Sequence, residues 1–282
     1  MVGHTGTPQF PGEDAVALCA DIDGLFVDLP PRPRERPTGL FREPAEPPVP
    51  HVTLVGCRPE PPLETAIAAA HQATKAGLRR RRVSADVGAV AADGSAVALV
   101  AAAVSGTVLS SVPSTLGSGL LDVTIAGDAR EPRPAGTRGI LDLWFTGRPT
   151  RYNLWARHDR TLRHEWAGVA LAHRRREAPD RPAGTVFHLD GRFVTDVEGF
   201  YCDIGEAING PGGYFGWNLD ALDDCLSATW GAQAPFRLLW HDSAVARRHL
   251  VAGHDRHRRA PAVTLDTLVQ VFTAHGVDVE LR

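Results

Sequence analysis

Three aspartates crowd one short stretch, "GGYFGWNLDALDDCLSATW", from Gly212 to Trp230. Asp220 and Asp224 stand four residues apart, which places both on one face of a helix, and Asp223 follows Asp220 by three. Leu219, Leu222 and Leu226 make the opposing apolar face, and Asn218 is a good N-cap residue to open the helix. Asp220 then falls near the positive end of the helix dipole, which offsets part of the charge. Across Thr185–Trp230 the acids are Asp190, Asp196, Glu198, Asp203, Glu206, Asp220, Asp223 and Asp224. Eight acids against the one arginine there, Arg192, give a local charge of −7. Paired carboxylates of this kind can form an acid–base dyad, bind a hard cation, stay solvated, or meet a basic partner. No His or Ser lies between Asn218 and Leu226, and the flanking aromatics and glycines suit a protein-binding surface better.

Other residues invite sharper chemistry and do not sustain it. His249, His254 and His257 lack a helical register or a Cys/Asp framework, so they read as part of a basic surface loop and not as a metal site. "RRRR" at Arg79–Arg82 is short and isolated, which fits a solvated turn or strand edge better than a nucleic-acid contact. Cys19, Cys57, Cys202 and Cys225 are scattered with no C-x-x-C pair, so neither a zinc knuckle nor a thioredoxin-type site is expected, and Cys202 and Cys225, inside expected helices, read as buried free thiols. Neither metal nor cofactor is implied.

The elements that must position the acidic stretch are clearest in the last hundred residues. "TVFHLDG" reads as a strand. "TDVEGFYCDIGEAI" opens with Thr195 three residues before Glu198, a capping box, and then shows apolar residues at helical spacing until "NGPGG" stops it. "PFRLLWHD" is a strand, "TLDTLVQVFTAHG" a helix capped by Thr264 and ended by Gly276, and "VDVELR" a last strand. Strands separated by helices imply right-handed crossovers and a small parallel sheet, an α/β arrangement.

Upstream, "HVTLVGC", "AVALVAAAV", "LLDVTIAG" and "GILDLWFTG" read as strands, and "PPLETAIAAAHQATKAG" as a helix with Pro62 in its first turn and Gly77 past its end. A second helix is expected from about Thr161 to Arg175 with Asp159 as its cap, and Trp144, Trp155 and Trp166 as packing residues. The segment Asp28–His51 is too rich in proline for helix or inner strand. "HRRREAPDRPAG" changes from basic to Pro/Gly-rich and marks a boundary. The expected division is a mixed, β-rich accessory domain over 1–173, a linker over 174–184 and an α/β domain over 185–282.

Composition sets the class. Hydrophobic residues make up 43% and charged residues 22% of the 282, enough for real cores in one large or two ordinary domains. Lys75 is the sole lysine, and the formal net charge is −3. The start "MVGHTGTPQF" carries no signal pattern, and the most apolar run, "AVALVAAAVSGTVL", is too short and too interrupted to span a membrane. A cytoplasmic protein with no membrane contact is expected.

"YFGWNLDALDDCL" resembles the YYGxNLDALWDCL signature of the barstar family, intracellular inhibitors of the ribonuclease barnase. The likeness continues in the family's order through "LDG…EGFYCDIGEAI", "PFRLLWHD" and "LVQVF", covering Thr185–Arg282, about a third of the chain. The resemblance implies a three-layer domain with three parallel strands and no enzymatic activity. It also implies that the helix and the loop before it plug a basic nuclease active site, their carboxylates imitating RNA phosphates. On that pattern Asp224 matches the central anchoring aspartate and Asp220 the second acidic contact. Tyr214, Gly216, Asn218 and Leu219 match the loop and helix-start contacts. The chain departs from the pattern at Asp223, where the family has tryptophan, and at Ala274, where barstar has a contacting glutamate. The loop "ARRHLVAGHDRHRRAPAV" is also longer and adds Arg247, Arg248, Arg256, Arg258 and Arg259. The implied partner is a ribonuclease or a ribonuclease-type toxin. The alternative is a regulatory protein–protein interaction module with this fold and a non-nuclease partner. Direct nucleic-acid binding is disfavoured, because the acidic helix repels phosphate.

Overall fold

The computed structural model describes residues 16–28, 51–72, 79–90, 96–127, 133–145, 147–174, 179–228 and 230–282, with backbone alone at 89, 90 and 96–103. Most of the proline-rich segment, Gly77 and part of the expected linker lie outside the described residues. The chain forms two compact units, 1–136 and 137–282.

The first unit is an antiparallel sheet with one helix on it. Strands β1 (Ala17–Leu18) and β2 (Asp21–Asp23) both pair with β3 (His51–Pro59). Next come β6 (Leu121–Gly127), β5 (Ala96–Pro113) and β4 (Arg82–Val90), in the order β3-β6-β5-β4. Helix α1 (Pro61–His71) starts on two prolines, which fit a helix's first turn because the N–H groups there have no intrahelical acceptor. Leu63, Ala66 and Ile67 from α1 join Val52, Leu54, Cys57, Val108, Val123 and Ile125 in one core. Arg79–Arg81 form a 3-10 turn running into β4, as the solvated-turn reading expects.

The second unit opens with α2 (Thr137–Phe145), where alternation suggested a strand. The period that decides it is helical: Thr137, Ile140, Leu141 and Trp144 are the buried positions, spaced i, i+3, i+4, i+7. Helix α3 (Arg160–Ala172) follows, capped by Asp159 Oδ1 accepting from Leu162 N–H at 2.9 Å. Then come β7 (Val186–Leu189), α4 (Val197–Asn209), α5 (Leu219–Ser227), β8 (Arg237–Trp240) and α6 (Ser243–His249). The small hairpin β9 (His254–Asp255) and β10 (Ala260–Pro261), α7 (Leu265–Ala274) and β11 (Asp278–Leu281) complete it. The sheet order is β7-β8-β11, all parallel, with Val186, Arg237 and Asp278 in register. Phe200 of α4 ties the layers together, 5.3 Å from the Trp240 ring and 6.2 Å from the Phe272 ring of α7.

Three expectations change. The stretch read as one long basic loop begins as α6, so Arg247, Arg248 and His249 are helical. Residues 137–172 belong to the same compact unit as the parallel sheet, although the composition change falls later, at 174–184. The reason is apolar burial: Trp166, Ala167, Val169 and Ala170 are buried where α3 packs along α4. Trp144 and Trp155 are buried with them, as packing residues. The N-terminus of α4 also differs. Asp196 is the N-cap, its Oδ1 accepting from Gly199 N–H at 2.7 Å, while Thr195 Oγ1 accepts from Arg163 and Glu198 is buried. The helix starts one residue later than the capping box requires, with Asp196 in the cap position, which leaves Glu198 for a different task.

Candidate functional site

The acidic stretch folds as a tight loop, Gly210–Trp217, leading into α5. Asn218 caps the helix, its Oδ1 accepting from Ala221 N–H at 2.7 Å. Leu222, Cys225 and Leu226 are buried beneath it, while Leu219 is only half-buried. Asp220, Asp223 and Asp224 all point to solvent. Asp223 Oδ1 pairs with His275 Nε2 at 2.7 Å, so one carboxylate already has an internal partner. Among the described residues Asp220 and Asp224 have none.

The loop is held from behind with unusual thoroughness. Gly216 sits at φ +95°, and a Cβ there would lie 2.9 Å from the Leu222 backbone, so only glycine lets the loop fold against the start of α5. Gly205 of α4 and Gly213 meet backbone to backbone: a Cβ on either would come within 2.4 Å of the other's carbonyl oxygen. Buried Glu206 accepts from Gly212 N–H at 3.0 Å, Asn153 N–H at 2.8 Å and Trp155 Nε1 at 3.2 Å. Its pKa is nonetheless raised, because burial outweighs those bonds. Asn209 Nδ2 donates to the Tyr214 and Trp230 carbonyls at 2.8 and 2.9 Å. Arg148 donates to the carbonyls of Pro211 at 2.7 Å and Asn209 at 2.6 Å.

Tyr214 is 6% exposed, its ring 5.7 Å from Trp230, and burial raises its phenol pKa. Tyr214 and Gly216 therefore shape the loop from inside. Tyr214 and Trp230 also line a cleft of about 720 Å³ shared with Arg148, Arg174, Arg181 and His188, and the Arg174 guanidinium lies 3.6 Å over the Trp230 ring. Trp217 stacks on His164 of α3, centroids 5.3 Å apart and nearly parallel, and burial lowers the His164 pKa.

Part of the negative charge read along 185–230 is paired in space. Glu198 is bound by Arg160 of α3 and by Arg258, whose Nε donates to Oε1 at 2.7 Å. Arg160 also binds Asp255, with Nη1 to Oδ1 at 2.9 Å. Burial alone would raise the Glu198 carboxyl; the two guanidiniums overcome it and hold it below its usual range. The Arg160 contact draws Asp255 down to about 2. Arg163 pairs with Asp196 at 2.7 Å, and Arg192 with Asp190 at 2.6 Å. What remains exposed is confined to α5. Arg258 belongs to this network, and its Nη2 also donates to the Trp217 carbonyl at 3.2 Å, whereas Arg247, Arg248, Arg256 and Arg259 stay exposed.

None of this pairing is visible along the chain, since Arg160 and Arg258 stand 38 and 60 residues from Glu198. One signal was available. Glu198, Asp203 and Glu206 are interleaved in the chain with Val197, Phe200, Tyr201, Ile204 and Ile208, and acids inside so apolar a helix require buried partners.

Residues 184–275 match the barstar (barnase inhibitor) family. No curated protein and no solved structure matches the chain. The barstar segment runs from just before β7 to the end of α7 and contains the acidic helix with its loop. Helices α2 and α3 lie outside it, so Arg148 and His164 brace the loop, and Arg160 and Arg163 hold the start of α4, from a part of the chain that the family model does not include. The fold is the α/β one expected, with three parallel strands and helices following a β-rich N-terminal part.

Asp203 of the barstar segment gives a pH signature. Its carboxylate accepts from Gly191 N–H at 2.7 Å, yet burial raises its pKa to about 7. Between its unfolded value near 3.8 and about 7 the folded state holds the proton more tightly than the unfolded state. Its contribution to stability is therefore full below about pH 4 and is lost as pH rises through 7. Denaturant titrations from pH 5 to 8 are expected to show stability falling, and Asp203→Asn to flatten that slope. An unchanged slope in the variant would assign it to another group.

Proposed function

We propose that the second unit is a cytoplasmic protein inhibitor that docks α5 onto the basic active site of a ribonuclease or ribonuclease-type toxin. The supporting observation is the isolation of Asp220 and Asp224. They are exposed and, among the described residues, without internal partners, whereas Asp190, Asp196 and Glu198 are each paired with arginine. Two carboxylates one helical turn apart match the spacing of phosphates that a nuclease holds with Arg, Lys and His. The fixed loop behind them lowers the ordering cost of association. The barstar match over 184–275 supports the same reading. Asp223, already tied to His275, takes a smaller share.

A regulatory module with a non-nuclease partner is the second reading. The feature that favours it is the arginine-lined cleft beside the loop, which gives this face positive as well as negative ground. An inhibition assay decides between them. Full-length protein titrated into a basic microbial ribonuclease is expected to suppress RNA cleavage, with potency falling steeply as salt rises. If a panel of such nucleases is neither bound nor inhibited at low salt, the inhibitor reading fails.

A further inference from the structure

The first unit holds a cysteine pair that the sequence scatters. The pairing of β1 and β2 with β3 keeps one register throughout: Ala17 faces Pro59, Leu18 faces Arg58, Asp21 faces Val55 and Ile22 faces Leu54. Continued across the bend at Ala20, whose N–H donates to the Val55 carbonyl at 3.0 Å, the same register brings Cys19 next to Cys57. Residues opposed across antiparallel strands have Cα atoms about 4.5–5.5 Å apart, inside the range of about 4.4–6.8 Å that a disulfide spans. Cys57 is fully buried in the core and Cys19 partly exposed at the sheet edge.

We propose that Cys19 and Cys57 are a redox modification site, a cross-strand dithiol that a small-molecule disulfide such as oxidised glutathione converts to a cystine. The two thiols are hydrogen-bonded to each other. That bond, with burial second, raises the Cys19 pKa, and it lowers that of Cys57, so one thiolate of the pair forms readily and the second is opposed. Cys57, the more acidic of the two, accepts the Cys19 proton along that bond as Cys19 attacks. Cys19, at the surface, meets the oxidant. Its thiolate attacks one sulfur of glutathione disulfide, forms a mixed disulfide and expels one glutathione thiolate. The Cys57 thiolate then attacks Cys19 Sγ, breaks the mixed bond and expels the second glutathione. The protein gives up two electrons and two protons, and one glutathione disulfide becomes two glutathione thiols. The product staples the edge ribbon, residues 16–23, onto β3.

The test is brief exposure of the native full-length protein to oxidised glutathione, followed by alkylation, unfolding and non-reducing peptide mapping. Reactive thiols are expected to fall from the four of the reduced chain to two, with the Cys19 and Cys57 peptides joined and reduction restoring all four. Amide exchange at Ala20 and Ile22 is expected to slow on oxidation. In Cys19→Ser the three remaining thiols should persist. Cys57→Ala supplies a second variant, in which Cys19 should stop at the glutathione adduct. A stable adduct at Cys19 in the wild-type protein, four surviving thiols, or crosslinks to Cys202 or Cys225 would overturn the assignment.

Discussion

Asp224→Ala is expected to weaken binding to an inhibited ribonuclease by about 2 kcal/mol or more, roughly thirtyfold, while leaving folding stability within about 0.5 kcal/mol of wild type. The barnase–barstar pair is itself the reference case for such energies, and the top of the known range, about 8 kcal/mol, belongs to a barstar aspartate. The separation of the two effects follows from geometry. Asp224 is exposed and has no partner among the described residues, so its removal costs the fold little. In a complex, the same truncation leaves the partner's cationic groups desolvated and unpaired. Asp220→Ala should act in the same direction. Asp223→Ala should do less, because His275 already holds that carboxylate at 2.7 Å. Calorimetric titration at two salt concentrations, beside denaturant unfolding of each variant, measures both quantities. An Asp224→Ala protein that inhibits as well as wild type would remove the mechanism proposed here.

The second large effect concerns where the domain that carries the barstar match begins. A chain cut to 184–282, the start of the barstar match, is expected to lose cooperative unfolding, whereas 137–282 retains it. The cut removes α3, which packs along α4 and contributes the buried side chains of Trp166, Val169 and Ala170. It also removes Arg163 from Asp196, and Arg160 from Glu198 and Asp255. Taking one partner from a buried ion pair costs about 3–5 kcal/mol, and a domain's whole stability is about 5–15 kcal/mol. Trp217 would lose its stack on His164 and the loop its bonds to Arg148, so binding falls along with stability. Circular dichroism melts and inhibition assays on the two fragments test this. A 184–282 fragment that melts cooperatively near the 137–282 midpoint would show the brace to be dispensable.

The sequence was most informative where local chemistry decides local structure. The Asn218 and Thr264 caps, the apolar stripe of α5 and the three parallel strands all follow from residue type and spacing. Reading failed where two periods compete over a short span, as in 139–147, whose apolar residues fit alternation until the buried set of α2 shows a helical turn. It also failed wherever charge is settled by the fold. Glu198 resembles the second half of a capping box because only its distance from Thr195 is visible, and the partners that claim it come from α3 and the 250–262 segment. Tyr214 holds a place in the signature that implies a contact, and its burial against Trp230, visible only in the fold, also makes it a support for the loop.

The division of labour around α5 bears on how such a domain changes over generations. Everything that fixes the loop comes from groups other than the aspartates: Glu206, Asn209, Arg148, Arg258 and the glycines at 205, 213 and 216. Among the described residues the carboxylates of Asp220 and Asp224 carry no part of the scaffold's internal bonding. Substitution there is nearly free for folding, so mutations can accumulate and be sorted by the partner alone. A lineage can follow a drifting target, or move to a new one, by altering two or three solvent-facing positions. A library randomised at 220, 223 and 224 on an otherwise fixed chain is the laboratory form of the same freedom.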